Sequence, residues 1–581
     1  MEKRVLIAVL LSFLVLYGYT ALFPPPKRPV TLKTVAGDVA TPAASAPSSA
    51  AAGAEAPAPA PLEPAAAATV AETAERSIVV ETDVVRAVFS NRGGVITSWT
   101  LKKYPGADGK PVDLVPASLP ANQPRPFSLR LGEDKRTALV NSALFQTSGT
   151  GDIDGRQAPV SLTFDYEDAS GFRAHKAFRI EPHSYVITFS ISVKDGEAEV
   201  NPVVQWGPGL GDSLFISGQN SRFGTYLQHP QGIVYADGSV MRLPEAKALS
   251  QPTWQGDYPF AGIDDHYFIA SLVRPGVARV TYQPTKVPIQ IAGQGEHLRE
   301  LMAFDMLFAT PPKNQRVFFG PKDFDVMAAI DRDLVRTIYY GFFSILAVPL
   351  LHALKWINAF VGNYGWSIII LTFLINVAMF PFRHKSVVSM RKMQALQPQM
   401  KAIQDRYAKL KMTDPAQSKK QEEIMALYRE KGINPASGCL PMLATMPILF
   451  AFYAMLSVSI ELRGQPWALW IHDLSQHDPY YITPVLMGLS MLWQQRLTPV
   501  ADPAQAKMMM LTPIMFLFFF LWAPSGLVLY WLVSNMLGIG QQYATNRIIG
   551  APVVTAPRPP AERRMKAAGA GQTDGAKGNG R

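Results

Sequence analysis

The spacing of hydrophobic positions changes several times along the chain, and each change predicts a different kind of element. Near the N terminus, Lys3 and Arg4 precede about 19 mostly apolar residues, enough to cross a hydrocarbon core of about 30 Å. This segment is either a cleaved signal peptide or a retained anchor. We expect residues 1–23 to be a transmembrane anchor, because the apolar stretch is long and no clear small-x-small cleavage site appears before "PPPKRP".

A low-complexity segment and then a period-two pattern follow. Residues 24–76 hold Ala or Pro at 28 of 53 positions, which predicts a disordered linker. Over 77–322, apolar and polar residues alternate in short runs separated by Gly, Pro, Asn and Asp, which predicts a large antiparallel β domain of sandwich type. In "YVITFSISV" the apolar positions are Ile187, Phe189, Ile191 and Val193. One face of another predicted strand carries Val95, Thr97, Trp99 and Leu101.

The pattern becomes helical after residue 322. Residues 323–360 mix aromatic and aliphatic side chains with His352, Lys355 and Trp356, which favours an amphipathic helix at the membrane interface. Several of the later apolar runs hold only about 14 to 16 residues, or about 21 to 24 Å of helix, so they recruit flanking polar residues or thin the bilayer. These runs are 366–382, 440–460, 481–493, 508–523 and 525–540.

The distribution of basic residues predicts the orientation of these runs. The connector 383–435 has twelve Lys and Arg against five Asp and Glu, whereas 461–480 has one basic residue, Arg463. The tail from residue 551 has six basic residues against two acidic ones. By the positive-inside rule, the 383–435 connector, the short 498–507 connector and both termini are cytoplasmic, and the β domain is on the far side. Six spans satisfy this arrangement.

Composition agrees with a membrane protein that has a substantial water-soluble part. Hydrophobic residues make up 48% of the 581 positions and charged residues 17%. Because Cys439 is the only cysteine, the chain has no intrachain disulfide framework and no cysteine zinc cluster.

The basic connector 383–435 carries a narrow apolar seam. Apolar residues spaced three and four apart face a second short seam after the turn at 412–415, which predicts a cytoplasmic antiparallel hairpin. The hairpin is either purely structural or a docking arm for apolar segments or an RNA-bearing machine. The first seam comprises Met393, Leu396, Met400, Ile403, Tyr407 and Leu410, and the second Ile424, Leu427 and Tyr428. For docking we single out Met393, Met400, Arg406, Tyr407 and Lys409.

Polar side chains also occur inside the predicted spans. Thr372 and Asn376 are one helical turn apart on the same face of the first run. Such groups either bond to another helix or border a water-filled groove. Further polar residues support the groove: Gln494, Gln495 and Arg496 end one span, Tyr530 and Asn535 lie in the last, and Gln541 and Gln542 follow.

Two clusters of acids and histidines invite a metal or acid-base interpretation, which their spacing does not favour. Adjacent residues of a strand point to opposite faces, so "DDH" at 264–266 does not converge, and we expect a structural role. The segment "WIHDLSQHDP" at 470–479 also lacks ligand spacing. Phosphate-loop and nucleophile-elbow motifs are absent from the sequence, so we expect the chain not to hydrolyse nucleotide itself. We also expect no catalytic residues, no metal and no cofactor.

Three stretches carry a resemblance to a known family. They are "NPASGCLPMLATMPILFAFYAML", "ELRGQPWALWIHDLSQHDPYYITPVLMG" and "FFLWAPSGLVLYWLVSN". They closely resemble the YidC membrane protein insertases of Gram-negative bacteria, most strongly from about 330 to 546. The β domain resembles the family by its position, its size and "FGPK".

The resemblance implies an inner-membrane protein that inserts and folds nascent membrane proteins, alone or with the Sec translocon, as a monomer. It implies five core helices, at 361–546, around a hydrophilic groove open to cytoplasm and lipid, and a periplasmic domain of the supersandwich type also found in sugar-active enzymes. The groove positions are Thr372, Asn376, Thr445, Gln495, Tyr530, Trp531 and Asn535. At Asn376 the family usually has arginine, at Thr445 often glutamine, and at Tyr530 and Trp531 a Tyr-Tyr pair.

Two alternative functions are considered. A tethered carbohydrate-binding or isomerising domain would need convergent acids and histidines, and a transporter or channel would be favoured by inverted repeats and paired intramembrane charges; neither feature is visible in the sequence. The tail at 547–581 contacts ribosomal RNA or anionic lipid, or is simply solvated. Its basic residues include Arg558, Arg563, Arg564 and Lys566.

Overall fold

The computed structural model describes residues 67–106, 109–116, 119–120, 123–210, 230–243, 252–291, 295–407, 416–432, 440–497 and 511–549. Within these ranges, the part before residue 322 is built of strands with one helix, and the part from residue 324 onward is helical. The predicted anchor at 1–23, most of the predicted linker and most of the predicted tail lie outside the described residues.

The strands are numbered in chain order. They are β1 Ala68–Val70, β2 Ser77–Glu81, β3 Val85–Ser90, β4 Val95–Pro105, β5 Pro111–Asp113, β6 Ser128–Arg130, β7 Gln146–Thr147, β8 Asp152–Asp154, β9 Val160–Asp168, β10 Phe172–Ile180, β11 Val186–Asp195, β12 Ala198–Val200, β13 Val203–Trp206, β14 Gln231–Ala236, β15 Ser239–Leu243, β16 Thr253–Asp257, β17 Phe260–Asp264, β18 Phe268–Val273, β19 Val277–Ile291, β20 Gly295–Phe308 and β21 Gln315–Pro321.

Three sheets make up the β domain among the described residues. The largest has the order β1-β9-β10-β11-β21-β18-β17-β14-β15, with β12 on β11 and β7 on β9. The other two have the orders β16-β19-β20-β13-β6 and β5-β4-β3-β2-β8. Neighbours are antiparallel except β2 and β8, as expected where strands are joined by short loops.

The ordered β domain begins earlier than the predicted boundary at residue 77. β1 lies within the predicted linker and pairs with β9, with Ala68 opposite Asp168. An edge strand gains its hydrogen bonds from the neighbouring backbone, so it needs few large apolar side chains. The composition of this segment therefore predicted disorder where a short edge strand forms.

The alternation of apolar and polar residues predicts which side chains are buried in the core, with one exception in β4. In β11, Ile187, Phe189, Ile191 and Val193 are all buried, as the alternation predicts. In β4 the register against β3 shifts between Val88 and Phe89, so Thr97 is the extra residue of a β-bulge and Ile96 is buried in its place. The predicted face is therefore wrong at Thr97, whose hydroxyl donates to the Val88 carbonyl at 3.1 Å.

A fully buried lysine lies among the aromatic side chains of this core. The Lys176 Nζ donates to the carbonyl oxygens of Gly93, at 2.6 Å, and Phe127, at 2.8 Å. Burial lowers the pKa of Lys176 to about 7. The side chain therefore satisfies loop carbonyls that no strand neighbour reaches.

The helices are also numbered in chain order. They are α1 Asp134–Ser142, α2 Phe324–Ile330, α3 Ser344–Val361, α4 Tyr364–Ala395, α5 Gln397–Arg406, α6 Ala416–Glu430, α7 Leu440–Val458, α8 Ile482–Leu497, α9 Thr512–Phe520 and α10 Ser525–Ile549. The segment 323–360, predicted as one helix, instead forms α2, two short 3₁₀ turns and α3.

By length and composition, two helices in the described ranges can cross a membrane, at Gly341–Val361 and Tyr364–Met393. A shorter apolar helix spans Met446–Val458. The predicted interfacial helix is thus also long and apolar enough to cross. Phe342, in the turn just before α3, and Ile345 and Phe360 of α3 are exposed, which suits contact with lipid in either placement.

Helix α4 continues without a break from the apolar run into the basic connector, and α5 and α6 pack against each other beyond it. Leu396 and Met400 form a small buried cluster with Ile424, Leu427 and Tyr428, and Met393 and Ile403 pack against it. The Tyr428 hydroxyl lies 3.0 Å from the Met400 sulfur. These seam residues therefore meet as the heptad-like spacing predicts.

Candidate functional site

The polar residues of α4 bond within their own helix. The Thr372 hydroxyl donates to the Ile368 carbonyl at 2.6 Å, and the Asn376 amide donates to the Thr372 carbonyl at 2.8 Å. Both side chains are buried. Neither bond reaches another helix, so interhelical bonding does not explain Asn376.

The carboxamide oxygen of Asn376 accepts a hydrogen bond from Arg383, a residue predicted only as part of the basic connector. Arg383 donates from Nη1 to Asn376 Oδ1 at 2.6 Å. The two residues are seven positions apart, which places them on the same face two turns along the helix. That spacing is the sequence signal by which Arg383 can be found.

Tyr530 and Trp531 turn to different neighbours, because adjacent residues of a helix diverge by about 100°. The Tyr530 ring stacks on Phe452 of α7, with centroids 4.3 Å apart, and its hydroxyl is within electrostatic range of Arg383. Trp531 instead packs on Phe520 of α9, with centroids 5.0 Å apart. Of the pair, only Tyr530 therefore faces the polar residues of α4.

Asn535 of α10 makes a bond to α8, whereas no such bond is seen for the carboxamide oxygen of Gln495 in α8. The Asn535 amide donates to the Ser490 hydroxyl at 3.0 Å, and both side chains are buried, so Asn535 makes an interhelical bond. Gln495 Oε1 is buried and accepts no hydrogen bond from the described part of the protein. Buried polar atoms without a protein partner are uncommon in folded proteins.

The remaining predicted site residues are distributed as follows. Thr445 lies in α7, within Leu440–Val458. In the hairpin, Arg406 forms an ion pair with Glu423, and the Tyr407 hydroxyl donates to the same carboxylate at 2.8 Å. Lys409 and the tail residues Arg558, Arg563, Arg564 and Lys566 lie outside the described residues.

A polar joint between the β domain and the helical part was not predicted. His266 Nε2 donates to the Ser457 carbonyl at the end of α7 at 2.8 Å, across 191 positions of sequence. Arg463 donates to the Pro105 carbonyl at 3.2 Å, and its guanidinium lies 5.1 Å from the Tyr267 ring centroid. Contacts between residues so far apart in the sequence leave no local pattern by which they could be predicted.

Asp264 and Asp265, next to His266, form bonds that stabilise this joint. Asp264 pairs with Lys322 and Arg242, each at 2.9 Å, and Asp265 accepts bonds from the backbone of the following turn. Burial, followed by the nearby Lys322 charge, lowers the pKa of His266 to about 4, so the ring is neutral at pH 7. The structure thus gives these residues a structural role.

Acidic residues form a second part of the joint. Lys355 of α3 lies 3.3 Å from Glu461 and 2.5 Å from Asp325. Burial, reinforced by Asp323, raises the pKa of Glu461 to about 7.

In the other segment considered for metal, Asp478 accepts bonds from the backbone and hydroxyl of Thr483 at 2.7 and 2.8 Å, and so caps the start of α8. The described residues hold no group of three or more His, Cys, Asp or Glu suited to a metal ion.

Comparison with known proteins identifies both parts of the chain. Residues 356–551 match the family model for the 60Kd inner membrane protein, and residues 77–353 match that for the YidC periplasmic domain. The chain is therefore similar to proteins of the inner membrane that carry a periplasmic domain.

Individual relatives match over nearly the full length. Membrane protein insertase YidC of Geobacter metallireducens is 37% identical over 95% of this chain and 99% of its own. The insertase of Geobacter sulfurreducens is 38% identical over 94% of this chain and 99% of its own. A crystal structure described as an active YidC insertase, with its first transmembrane domain resolved, covers 82% of this chain and 94% of its own, at 18% identity and a TM-score of 0.34. The resemblance seen in the sequence is confirmed: the chain belongs to the YidC family of membrane protein insertases.

Proposed function

We propose that this protein inserts and folds inner-membrane proteins through a hydrophilic groove between α4, α7, α8 and α10. The observation that carries the groove is the polar series on one face of α4. Thr372 and Asn376 within the apolar run of α4, and Arg383 just after it, follow one another along one face of the helix, and Tyr530 faces them. Polar groups at such depth are unfavourable unless they meet partners or water.

The groove shortens the dry path for the hydrophilic part of a passenger. A charged residue at the centre of a bilayer is unfavourable by about 2.5 to 3.5 kcal/mol on insertion scales. Each ångström of wet groove removes part of that barrier. Apolar segments then leave sideways into lipid, which stabilises them by about 25 cal/mol for each Å² buried.

Exposed apolar side chains suit that sideways exit. Phe373 and Val377 of α4, Met515 of α9 and Leu489 of α8 are all exposed to the surroundings of the helices. They offer apolar surface on three of the helices, which a passenger helix can contact as it enters the lipid.

The topology that this function requires is also part of the proposal. Six spans, with both termini in the cytoplasm, put the basic hairpin on the side where substrates are made and the β domain in the periplasm. We further propose that the hairpin receives nascent segments, that the protein works alone or beside the Sec translocon, and that it acts as a monomer without catalytic turnover.

Protease mapping after depletion tests the proposal. Cells depleted of this protein should fail to expose the periplasmic loop of a small two-span membrane protein to added protease, and the full chain should restore exposure. A normal loop after depletion would contradict the insertase function. A defect in solute uptake with normal loop exposure would indicate a transporter instead.

Contact of the tail with ribosomes is a separate proposal. If residues 551–581 bind ribosomal RNA, ribosomes should cosediment with the full chain, lose this association at high salt, and lose it on deletion of the tail. Cosedimentation that survives deletion would assign the contact to another part of the protein.

A further inference from the structure

Three carboxylates meet one lysine where the β domain joins the helical part. The Lys355 Nζ of α3 lies 2.5 Å from Asp325 Oδ2 and 3.6 Å from Asp323 Oδ1, both at the start of α2. It also lies 3.3 Å from Glu461 Oε1, in the 3₁₀ turn Ile460–Leu462 that follows α7. Within the described ranges these acids form no ion pair with a second cation, so the fully ionised cluster carries a surplus of two negative charges.

Of the three acids, Glu461 is the one whose charge is poorly compensated. The Asp325 side chain is 55% exposed and therefore solvated, and Asp323 accepts bonds from the Asp325 and Val326 backbone as the N-cap of α2. The Glu461 side chain is 5% exposed, and Lys355, which it shares with the two aspartates, is the only side chain in the described part of the protein that bonds to it. Burial and the nearby Asp323 charge disfavour the ionised form of Glu461 and hold its pKa at about 7.

The other titratable groups around Glu461 do not balance its charge. Arg463, two positions further on, turns to the Tyr267 ring, 5.1 Å from its centroid. His352 of α3 packs edge to face on the Phe324 ring. Three phenols lie within electrostatic range and stay neutral below about pH 10, namely Tyr104 of β4, Tyr340 before α3 and Tyr364 of α4. An ionised Glu461 is therefore opposed by two carboxylates and balanced by one shared ammonium.

We propose that this cluster makes the joint a proton-dependent latch, which holds the β domain against the helical part while Glu461 is protonated and loosens when Glu461 loses its proton. Opening exposes the carboxyl group to water, where the ionised form is favoured, so loss of the proton and opening promote each other. The contacts that seat the two parts include single polar bonds, such as that from His266 to the Ser457 carbonyl, and polar interfaces within a chain allow domains to move. The latch acts whatever passenger the protein handles, because it responds only to the pH of the compartment that contains the β domain.

The test follows opening by the reactivity of a thiol buried at the joint. In a Cys439→Ser background, Ser457→Cys places a cysteine near the end of α7, where the serine is 9% exposed and its hydroxyl has no hydrogen-bond partner in the described part of the chain. The full chain in lipid nanodiscs is treated with a small neutral maleimide between pH 5 and pH 8. Each labelling rate is divided by that of the same protein carrying Glu461→Gln, the neutral isostere. This ratio cancels the ionisation of the thiol itself and the titration of His266, which both proteins share.

We expect the ratio to rise by up to about tenfold per pH unit from about pH 5 and to level off above about pH 7, where the carboxyl group is ionised in the closed joint as well as in the open one. Two variants, each measured against its own Glu461→Gln partner, should move this profile in opposite directions. Asp323→Asn keeps an N-cap side chain but removes a negative charge, so the ratio should level off at a lower pH. Lys355→Met removes the balancing cation, so the ratio should level off at a higher pH. The control Glu167→Gln, which breaks a surface ion pair with Arg173, should reproduce the profile of the unaltered chain.

Four outcomes would overturn the proposal. A ratio that stays constant from pH 5 to pH 8 would show that the charge on Glu461 does not control opening, and a cysteine at 457 that never reacts would show that the joint does not open. Faster labelling of Glu461→Gln than of the unaltered chain at every pH would mean that the carboxylate holds the joint closed as an ion pair with Lys355. A shift in the same direction for Asp323→Asn and Lys355→Met would indicate general loosening of the joint. Brief proteolysis at each pH verifies that every variant remains folded.

Discussion

Replacing Asp264 by alanine should strongly destabilise the end of the β domain that carries the joint. The Asp264 carboxylate is fully buried and accepts bonds from Lys322 Nζ and Arg242 Nη1, each at 2.9 Å. Without it, the Lys322 ammonium, only 5% exposed, keeps one described partner, the Asp265 carbonyl, also at 2.9 Å. Leaving a buried charge without its counter-ion costs about 3 to 5 kcal/mol of stability.

The two cations should differ in their response, because their surroundings differ. The Arg242 side chain retains 21% exposure and also donates to the Thr337 carbonyl, so water and that carbonyl compensate it. Lys322 keeps the Asp265 carbonyl but, with 5% of its surface exposed, has far less access to water. We therefore expect the double variant Asp264→Leu with Lys322→Met to recover at least half of the stability lost in Asp264→Ala, since it removes the stranded charge.

The assay is urea unfolding of the full chain in detergent, followed by brief proteolysis that cleaves only unfolded β domain. The matched control is Glu167→Gln, which breaks a surface ion pair with Arg173 and should change the free energy of unfolding by less than about 1 kcal/mol. The reasoning is refuted if Asp264→Ala loses less than the control, or if the double variant is no more stable than Asp264→Ala.

Three other predictions also concern stability. The first two use the same unfolding assay, and the third scores proteolysis of the helical part over the same urea series. The pKa of His266 is about 4 in the folded protein, against 6.5 for an ordinary histidine, so between these values the folded protein binds fewer protons than the unfolded chain and its stability should fall as pH drops from 6.5 to 4. His266→Gln should remove this dependence, and an unchanged pH profile would contradict the role of the ring. Lys176→Met leaves two buried carbonyls without their donor and should cost about 1 to 3 kcal/mol, with a neutral result counting against those bonds. In Gly365→Ala the new Cβ would lie 2.1 Å from Trp467 Cδ1, so overpacking should cost about 1 to 3 kcal/mol, whereas Gly540→Ala, with nothing within 4 Å, should be neutral.

The sequence predicts the regular strands of the β domain well, but it does not predict the bulge in β4 or the edge strand β1. Alternation identifies the buried side of β11 because successive side chains of a strand point to opposite faces of the sheet. It fails at Thr97, where a bulge adds one residue to β4 and reverses the alternation. It also assigns β1 to the linker, because an edge strand held by backbone bonds needs no apolar pattern.

The candidate site was predicted in part. Polar residues within an apolar run drew attention to Thr372 and Asn376, and the structure places them on one face as expected. Arg383 was assigned to the connector, because charge counting treats a basic residue at the end of a span as cytoplasmic and ignores the direction of its side chain. The contact of His266 with Ser457 depends on the folding of two distant segments, which no local pattern reports.

Access of water to the face of α4 that carries Asn376 is the central claim, and thiol labelling tests it most directly. In a Cys439→Ser background, single cysteines replace Asn376 on the polar face and Phe373 on the exposed apolar face of the same helix, and a small charged thiol reagent is added to inverted membrane vesicles. The account predicts that the cysteine at 376 reacts rapidly from the cytoplasmic side and that the one at 373 does not. Equal, slow reaction at both positions would show a dry helix face and contradict the groove.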